Sequence, residues 1–162
     1  MQIRPATEAD IPLLRDLAQR IWRECYPGII TLEQIEFMLG WMYSEAEIRR
    51  QIAARVPWEI AELDGEPVGY LSWQREADGR VKISKLYVLP LHQRRGLGRA
   101  MLDHISERAL ALGAHALWMQ VNKRNERAIN AYLKVGFHIE KEAVFDIGGG
   151  FVMDDYLMMR AV

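Results

Sequence analysis

The sequence predicts a single-domain α/β protein (α+β by segregation of its strands), a mixed sheet with helices in its crossovers. Three observations predict it. Stretches rich in strand formers and stretches of helical periodicity follow one another in the order β-α-α-α-β-β-β-α-β-α-β-β. Asp-Gly pairs and a Gly-Gly-Gly triplet stand where neighbouring strands must turn back. No linker, repeat or low-complexity tract divides the 162 residues, 50% of which are apolar, so residues 1–162 are read as one domain with a full core.

The first strand lies in "IRPAT". Thr7 caps the helix behind it, along which Ile11, Leu14, Leu17, Ala18 and Ile21 recur at helical spacing. Pro27 and Gly28 in "CYPGI" break that helix. Thr31 with Gln34, and Ser44 with Glu47, are capping-box pairs that open two short helices. "WEIAEL" and "PVGYLSWQ" are strands joined through Asp64-Gly65, and Asp78-Gly79 turns the chain into "RVKISKLYVL". These three strands form an antiparallel meander. From Gly96 to Leu112 the apolar residues return to a helical period, and Gly113 stops it. "ALWMQV" is a strand and "NERAINAYLKV" a helix ended by Gly136, with Phe137 packing behind it. "FHIEKEAVFDI" and "FVMDDYLMMR" close the chain as a hairpin.

Composition removes several functions. With 21 Lys+Arg against 22 Asp+Glu there is no basic field for nucleic acid, and the arginines cluster at one loop rather than along a helix face. His92, His104, His115 and His138 are scattered without metal-ligand spacing, so no metal is expected. No apolar run approaches the ~20 residues of a membrane span, and "MQIRPATEAD" lacks the apolar middle of a signal peptide. Cys25 stands alone, which suits a buried thiol in a cytoplasmic protein.

The stretch "HQRRGLGRAM" carries the chemistry. Gly96 and Gly98 lie between the strand ending near Leu89 and the helix beginning near Leu97, where unpaired amides attract an anion. Arg94, Arg95 and Arg99 add charge suited to phosphate oxygens. A P-loop would need Gly-Lys-Ser/Thr, which is missing. A dinucleotide fingerprint would need glycine where Met101 stands and an acid where Val121 and Asn122 stand. A basic glycine turn without any ligand stays open on the loop alone.

"QRRGLG" resembles Q/R-x-x-G-x-G/A, the pyrophosphate loop of the GNAT superfamily of acetyl-CoA-dependent N-acetyltransferases. "NERAINAYLKVGF" matches that family's second motif, N-x-x-A-x-x-x-Y-x-K-x-G-F, at every written position. The resemblance covers roughly residues 60 to 160 and more weakly the first helices. It implies a single GNAT domain, a mixed central sheet of about seven strands flanked by helices, with its central strand pair splayed. It further implies acetyl-CoA as cosubstrate. The pantetheine arm would lie along Leu86, Tyr87 and Val88, and the diphosphate on Gln93, Arg94, Arg95, Gly96, Leu97, Gly98 and Arg99. Asn125 would bond the cofactor, although it is equally natural as a helix N-cap. Tyr132 would contact the cofactor and protonate the leaving thiolate, with a packed core tyrosine as the alternative.

One departure stands out. Many relatives carry a glutamate two or four residues before the leucine of "LYV"; here those positions are Ser84 and Lys82. The base would be ordered water, or one of Glu24, Asp146, Asp154 and Asp155. The resemblance implies a primary amine as acceptor, direct attack in a ternary complex, and no nucleic-acid or membrane partner. Acids near Pro27 (Glu24, Glu33, Glu36) and on the last hairpin favour a small cationic, polyamine-like amine. The end of the chain looks similar to a bacterial subgroup that includes polyamine acetyltransferases. A protein N-terminus or lysine, or a regulator that binds acyl-CoA with little turnover, are the alternatives. A homodimer formed through the edge of the last strand is also left open.

Overall fold

The computed structural model describes residues 1–162. Its elements are β1 (Gln2–Pro5), α1 (Ile11–Cys25), α2 (Leu32–Met42), α3 (Glu45–Ala53), β2 (Trp58–Leu63), β3 (Glu66–Arg75) and β4 (Arg80–Val88). There follow α4 (Leu97–Ala111), β5 (Ala116–Asn122), α5 (Glu126–Lys134), β6 (His138–Gly148) and β7 (Phe151–Ala161). The expected order is reproduced, with two short 3₁₀ turns added at Glu8–Asp10 and Pro90–His92. One seven-stranded sheet runs β1-β2-β3-β4-β5-β7-β6, antiparallel except where β4 meets β5.

Helices cover both faces. On one, α4 and α5 bury Met101, Leu102, Ile105 and Ile129 against Val81, Ile83, Leu117 and Met119. On the other, α1, α2 and α3 bury Leu14, Leu17, Trp22, Ile35 and Ile48 against Ile60 and Tyr70. Each such aliphatic side chain contributes about 1.5–3 kcal/mol by leaving water.

Local chemistry sets the boundaries. The hydroxyls of Thr31 and Ser44 accept from the amides of Gln34 and Glu47 at 3.1 Å, as the capping pattern requires. The reciprocal half of each box is not made. Gln34 instead donates to the Val152 carbonyl on β7 at 2.9 Å, and Glu47 binds Arg50. Thr7 precedes a 3₁₀ turn rather than the helix itself, and α1 proper begins beyond Asp10. Asp64 (φ 52°) and Gly65 (φ 80°) make the tight hairpin turn. The Asp78-Gly79 turn is wider than a two-residue loop, closed by Glu76 N–H on the Arg80 carbonyl at 2.7 Å.

Two features of β4 position the site. Ser72 pairs with Lys85 and Trp73 with Ile83, so Ser84 is an extra residue, a β-bulge. The bulge reverses the alternation: Val81 and Ile83 face α4, yet so do Leu86 and Val88, while Tyr87 joins the α1 side. Then β4 leaves β5. The final strand is interior, since β7 lies between β5 and β6; the free edge on that side is β6, not the last strand.

Candidate functional site

The strands β4 and β5 pair only at Arg80–Ala116, Val81–Leu117 and Lys82–Trp118. Beyond Lys82 they diverge, and the β4 edge from Ile83 to Val88 has no ladder partner on the β5 side. This is the splayed pair expected from the resemblance. It opens a cleft of about 880 Å³ between the α4–α5 layer and the α1–α2 layer.

One end of the cleft is formed by residues 93–99. Arg94 (φ 62°) and Gly96 (φ 78°) take left-handed conformations that turn the chain into α4. Three other helices, α2, α3 and α5, carry side-chain caps, but α4 begins on Gly96 with none. The backbone N–H groups from Arg94 to Arg99 donate to no protein acceptor. Gly98 has room: a Cβ there would meet only Leu86 Cδ2, at 4.0 Å. Arg94, Arg95 and Arg99 make no ion pair, and Arg95 contacts only the ring of His92, at 3.1 Å. The Gln93 side chain turns back to the Val88 carbonyl at 3.0 Å, which ties the loop to the end of β4. Leu86, Tyr87, Leu97, Asn125 and Tyr132 all line the same cleft. Asn125 caps α5, its oxygen accepting from the Ala128 amide at 3.3 Å. Tyr132 is half-buried, edge-on to Phe137 at 5.8 Å, and burial pushes its phenol up, so it stays protonated.

The other end is walled by aromatic rings. Trp22 lies 4.4 Å from Tyr26 and 5.8 Å from Tyr87 between ring centroids, and the hydroxyls of Tyr26 and Tyr87 are 3.0 Å apart. Lys85 is buried at 6% exposure, its ammonium 4.8 Å from the Trp58 ring and 5.6 Å from that of Tyr43. Loss of water lowers its pKa to about 8, and Lys82 pushes the same way. Lys82 lies over Trp118 at 5.0 Å and is also lowered by burial.

Asp155 stands opposite Asn122 on β7, so it shares the face of Asn122, Gln120 and Trp118 rather than that of the α4 core. It is 1% exposed, and neither carboxylate oxygen has a hydrogen-bond partner. Burial raises its pKa to about 6, aided by Asp154 and opposed by Lys82 and Lys123. The other acids distribute differently from the sequence reading. Asp154 pairs with Lys123 at 2.8 Å, and Glu36 is bound by Arg23. Asp146 accepts from the Gly148 amide within its own hairpin, at 2.9 Å. Of the acids considered, Glu24 and Asp155 line the cleft. Strand alternation in the sequence gives no sign of Lys85 and its neighbours Trp58 and Tyr43, because the Ser84 bulge that turns Lys85 over exists only in the pairing with β3.

Residues 15–137 match the model of the acetyltransferase (GNAT) family. An uncharacterized N-acetyltransferase of Mycobacterium tuberculosis is 37% identical over 100 residues, 62% of this chain and 64% of that relative. Streptothricin acetyltransferase of Streptomyces lavendulae is 36% identical over 93 residues, 57% of this chain and 46% of the enzyme. The chain thus spans less than two thirds of the length of these curated relatives. Among solved structures, the PaiA N-acetyltransferase of Thermoplasma acidophilum, in complex with coenzyme A, superposes with a TM-score of 0.86 at 22% identity, covering 99% of this chain and 98% of that one. No helix is long and apolar enough to cross a membrane.

Proposed function

The chain belongs to the acetyltransferase (GNAT) family, and on that premise we propose that it moves an acetyl group from acetyl-CoA to a primary amine by direct attack in a ternary complex. The observation that carries this reading is the run of unbonded amides from Arg94 to Arg99, opening beside the unpaired edge of β4. Such amides at a helix N-terminus bind a diphosphate, with Arg94 and Arg99 of the cleft lining adding charge and Arg95 standing outside it against His92. An extended amide-bearing arm can satisfy the outward strand groups of Leu86 and Val88 as an added strand would, while the backbone of Tyr87 turns to β3. Gln93 holds the loop against Val88 for this, and Asn125 keeps its side-chain amide for the cleft while its oxygen caps α5. The coenzyme A complex of the PaiA relative supports the same choice of cosubstrate.

Acetyl-CoA supplies an activated acyl carbon with a thiolate as leaving group. The protein's part is to manage two protons. An amine arrives as an ammonium and must lose a proton before it can attack. Asp155 takes it: a carboxylate with a pKa of about 6 is ionised at neutral pH yet basic enough to serve. Tyr132, held protonated by burial, donates toward the departing sulfur.

The acceptor is a small amine in this reading, its seat walled by the rings of Trp22, Tyr26 and Tyr87. A polyamine-like acceptor draws support from Asp155 and Glu24, which line the cleft. A regulator that binds acyl-CoA with little turnover draws support from Ser84 and Lys82, since many relatives hold a glutamate at one of these positions. Thiol release from acetyl-CoA, measured over a panel of primary amines alongside calorimetric titration with coenzyme A, separates these. Binding with amine-dependent release is expected. Binding without release from any amine would favour the regulator, and no binding would remove both.

A further inference from the structure

The cleft holds charges of both signs that the protein leaves uncompensated. Lys85 is largely buried with its ammonium open to the cleft, and no carboxylate or hydrogen-bond acceptor reaches it; Glu47, an acid of the cleft lining that acts on it, is bound by Arg50 and Gln51. Aromatic faces of Trp58 and Tyr43 offset part of its lost hydration, but they do not replace a counter-ion. Asp155, on the same face of the sheet, is buried with both oxygens unbonded. Lys82 stands between their influences, acting on each, and forms no ion pair with Asp155. Opposite charges in one cleft that were meant to satisfy each other would meet at hydrogen-bond distance. These do not, so each is left free to take a partner from outside the chain.

We propose that the acceptor is zwitterionic, a primary amine carrying a carboxylate, with the carboxylate seated at Lys85 beside Trp58 and the amine directed to Asp155 at the β4–β5 gap. This rests on the acetyl-transfer reading above and specifies its substrate class. A dication whose second ammonium falls at Lys85 and Lys82 is repelled by like charge there, and only a pose turned toward Glu24 or Glu47 would accept it. An amine without the carboxylate would leave Lys85 buried and unpaired in the complex.

The test uses ω-amino acids with one to five methylenes between amine and carboxylate, each beside its carboxamide and the diamine of equal length. Acetyl-CoA is the donor and thiol release the readout. At the length that spans the cleft, kcat/KM for the acid is expected to exceed that for the amide and the diamine by about 10- to 100-fold. Lys85→Met, and Lys85→Gln if the first folds poorly, should erase that advantage and leave the amide within about twofold. A wild-type enzyme that uses amides or diamines as well as acids at every length overturns the proposal. So does a loss in Lys85→Met that falls equally on acid and amide. A dipeptide series, in which the carboxylate belongs to a peptide C-terminus, tells a free amino acid from a peptide. If no amine releases thiol, acetyl transfer itself has failed. The seat is then judged by tryptophan fluorescence, since Lys85 lies on Trp58. The acid should perturb emission in wild type and not in Lys85→Met, and the same response in both proteins rejects the seat.

Discussion

Taking a carboxylate out of water with neither oxygen bonded raises the free energy of its charged form, and Asp155 is held in that way. Its folded pKa of about 6 lies above the ordinary 3.8. Its contribution to stability is therefore fully present below about pH 3.8 and is lost as pH rises through about 6. The charged groups acting on it are Asp154, Lys82 and Lys123, with Tyr26 close enough to feel it. Asp155→Asn should raise the melting temperature by a few degrees at pH 8 and hardly at pH 4, since ~1 kcal/mol moves the midpoint about 2–4 °C in a domain of this size. The same variant should lose most of its kcat/KM, and the acid limb near pH 6 should vanish from the rate profile. Calorimetric scans and pH–rate curves check both halves; a variant that keeps its wild-type limb places the base elsewhere. Tyr132→Phe keeps the packing on Phe137 and removes the proton. Turnover should drop by about 10²–10⁴-fold with little change in coenzyme A affinity, and an undiminished single-turnover rate would make the hydroxyl structural.

Helix α4 begins with its first amides bonded to nothing in the protein, an arrangement that suits an anion. Gly98 tests this, because the fold itself does not demand glycine there: φ is ordinary and a Cβ meets nothing closer than 4.0 Å. Gly98→Val should fold, with a helix-propensity penalty well under 1 kcal/mol if any, and bind coenzyme A about 10- to 100-fold more weakly because the side chain occupies the phosphate's approach. Unchanged affinity in isothermal titration would mean that the diphosphate does not rest on this turn. Much at this scale was legible beforehand. Thr31, Ser44, Asn125 and the Asp64-Gly65 turn mark element ends through bonds made within a few residues, so sequence alone carries them. The bulge at Ser84 was not legible, because it exists only in the pairing of β4 with β3. Strict alternation from Val81 and Ile83 would put Lys85 toward α4. The extra residue puts it in the cleft instead. Asp155 was one name among four for a similar reason: its burial depends on lying opposite Asn122 across a sheet whose strand order is not written locally.

Viewed as a whole, the sheet is two arms joined at a short seam. β1 to β4 form one antiparallel arm, β5 to β7 the other, and three parallel pairs between Arg80–Lys82 and Ala116–Trp118 connect them. The hydrophobic layer of α4 bridges the seam on one face through Met101 and Ile105. On the other face the arms part around the cleft, so the exposed edges of β4 and β5 are the places where local opening is least opposed by tertiary contact. A cosubstrate lying in the gap as an added strand would couple the arms, and its binding would stabilise the whole chain as RT ln(1 + [L]/Kd). At coenzyme A about 100-fold above Kd this is about 2.7 kcal/mol, a rise of about 5–11 °C in melting temperature. Hydrogen exchange should report where that coupling arises. Protection is expected at the amides of Leu86 and Val88 and of residues 94 to 99 together, and at the end of β5 near Asn122 through closure of the arms. Protection confined to residues 94 to 99, with Leu86 and Val88 exchanging as in the free protein, would show a phosphate held at α4 and an arm that leaves the gap unused.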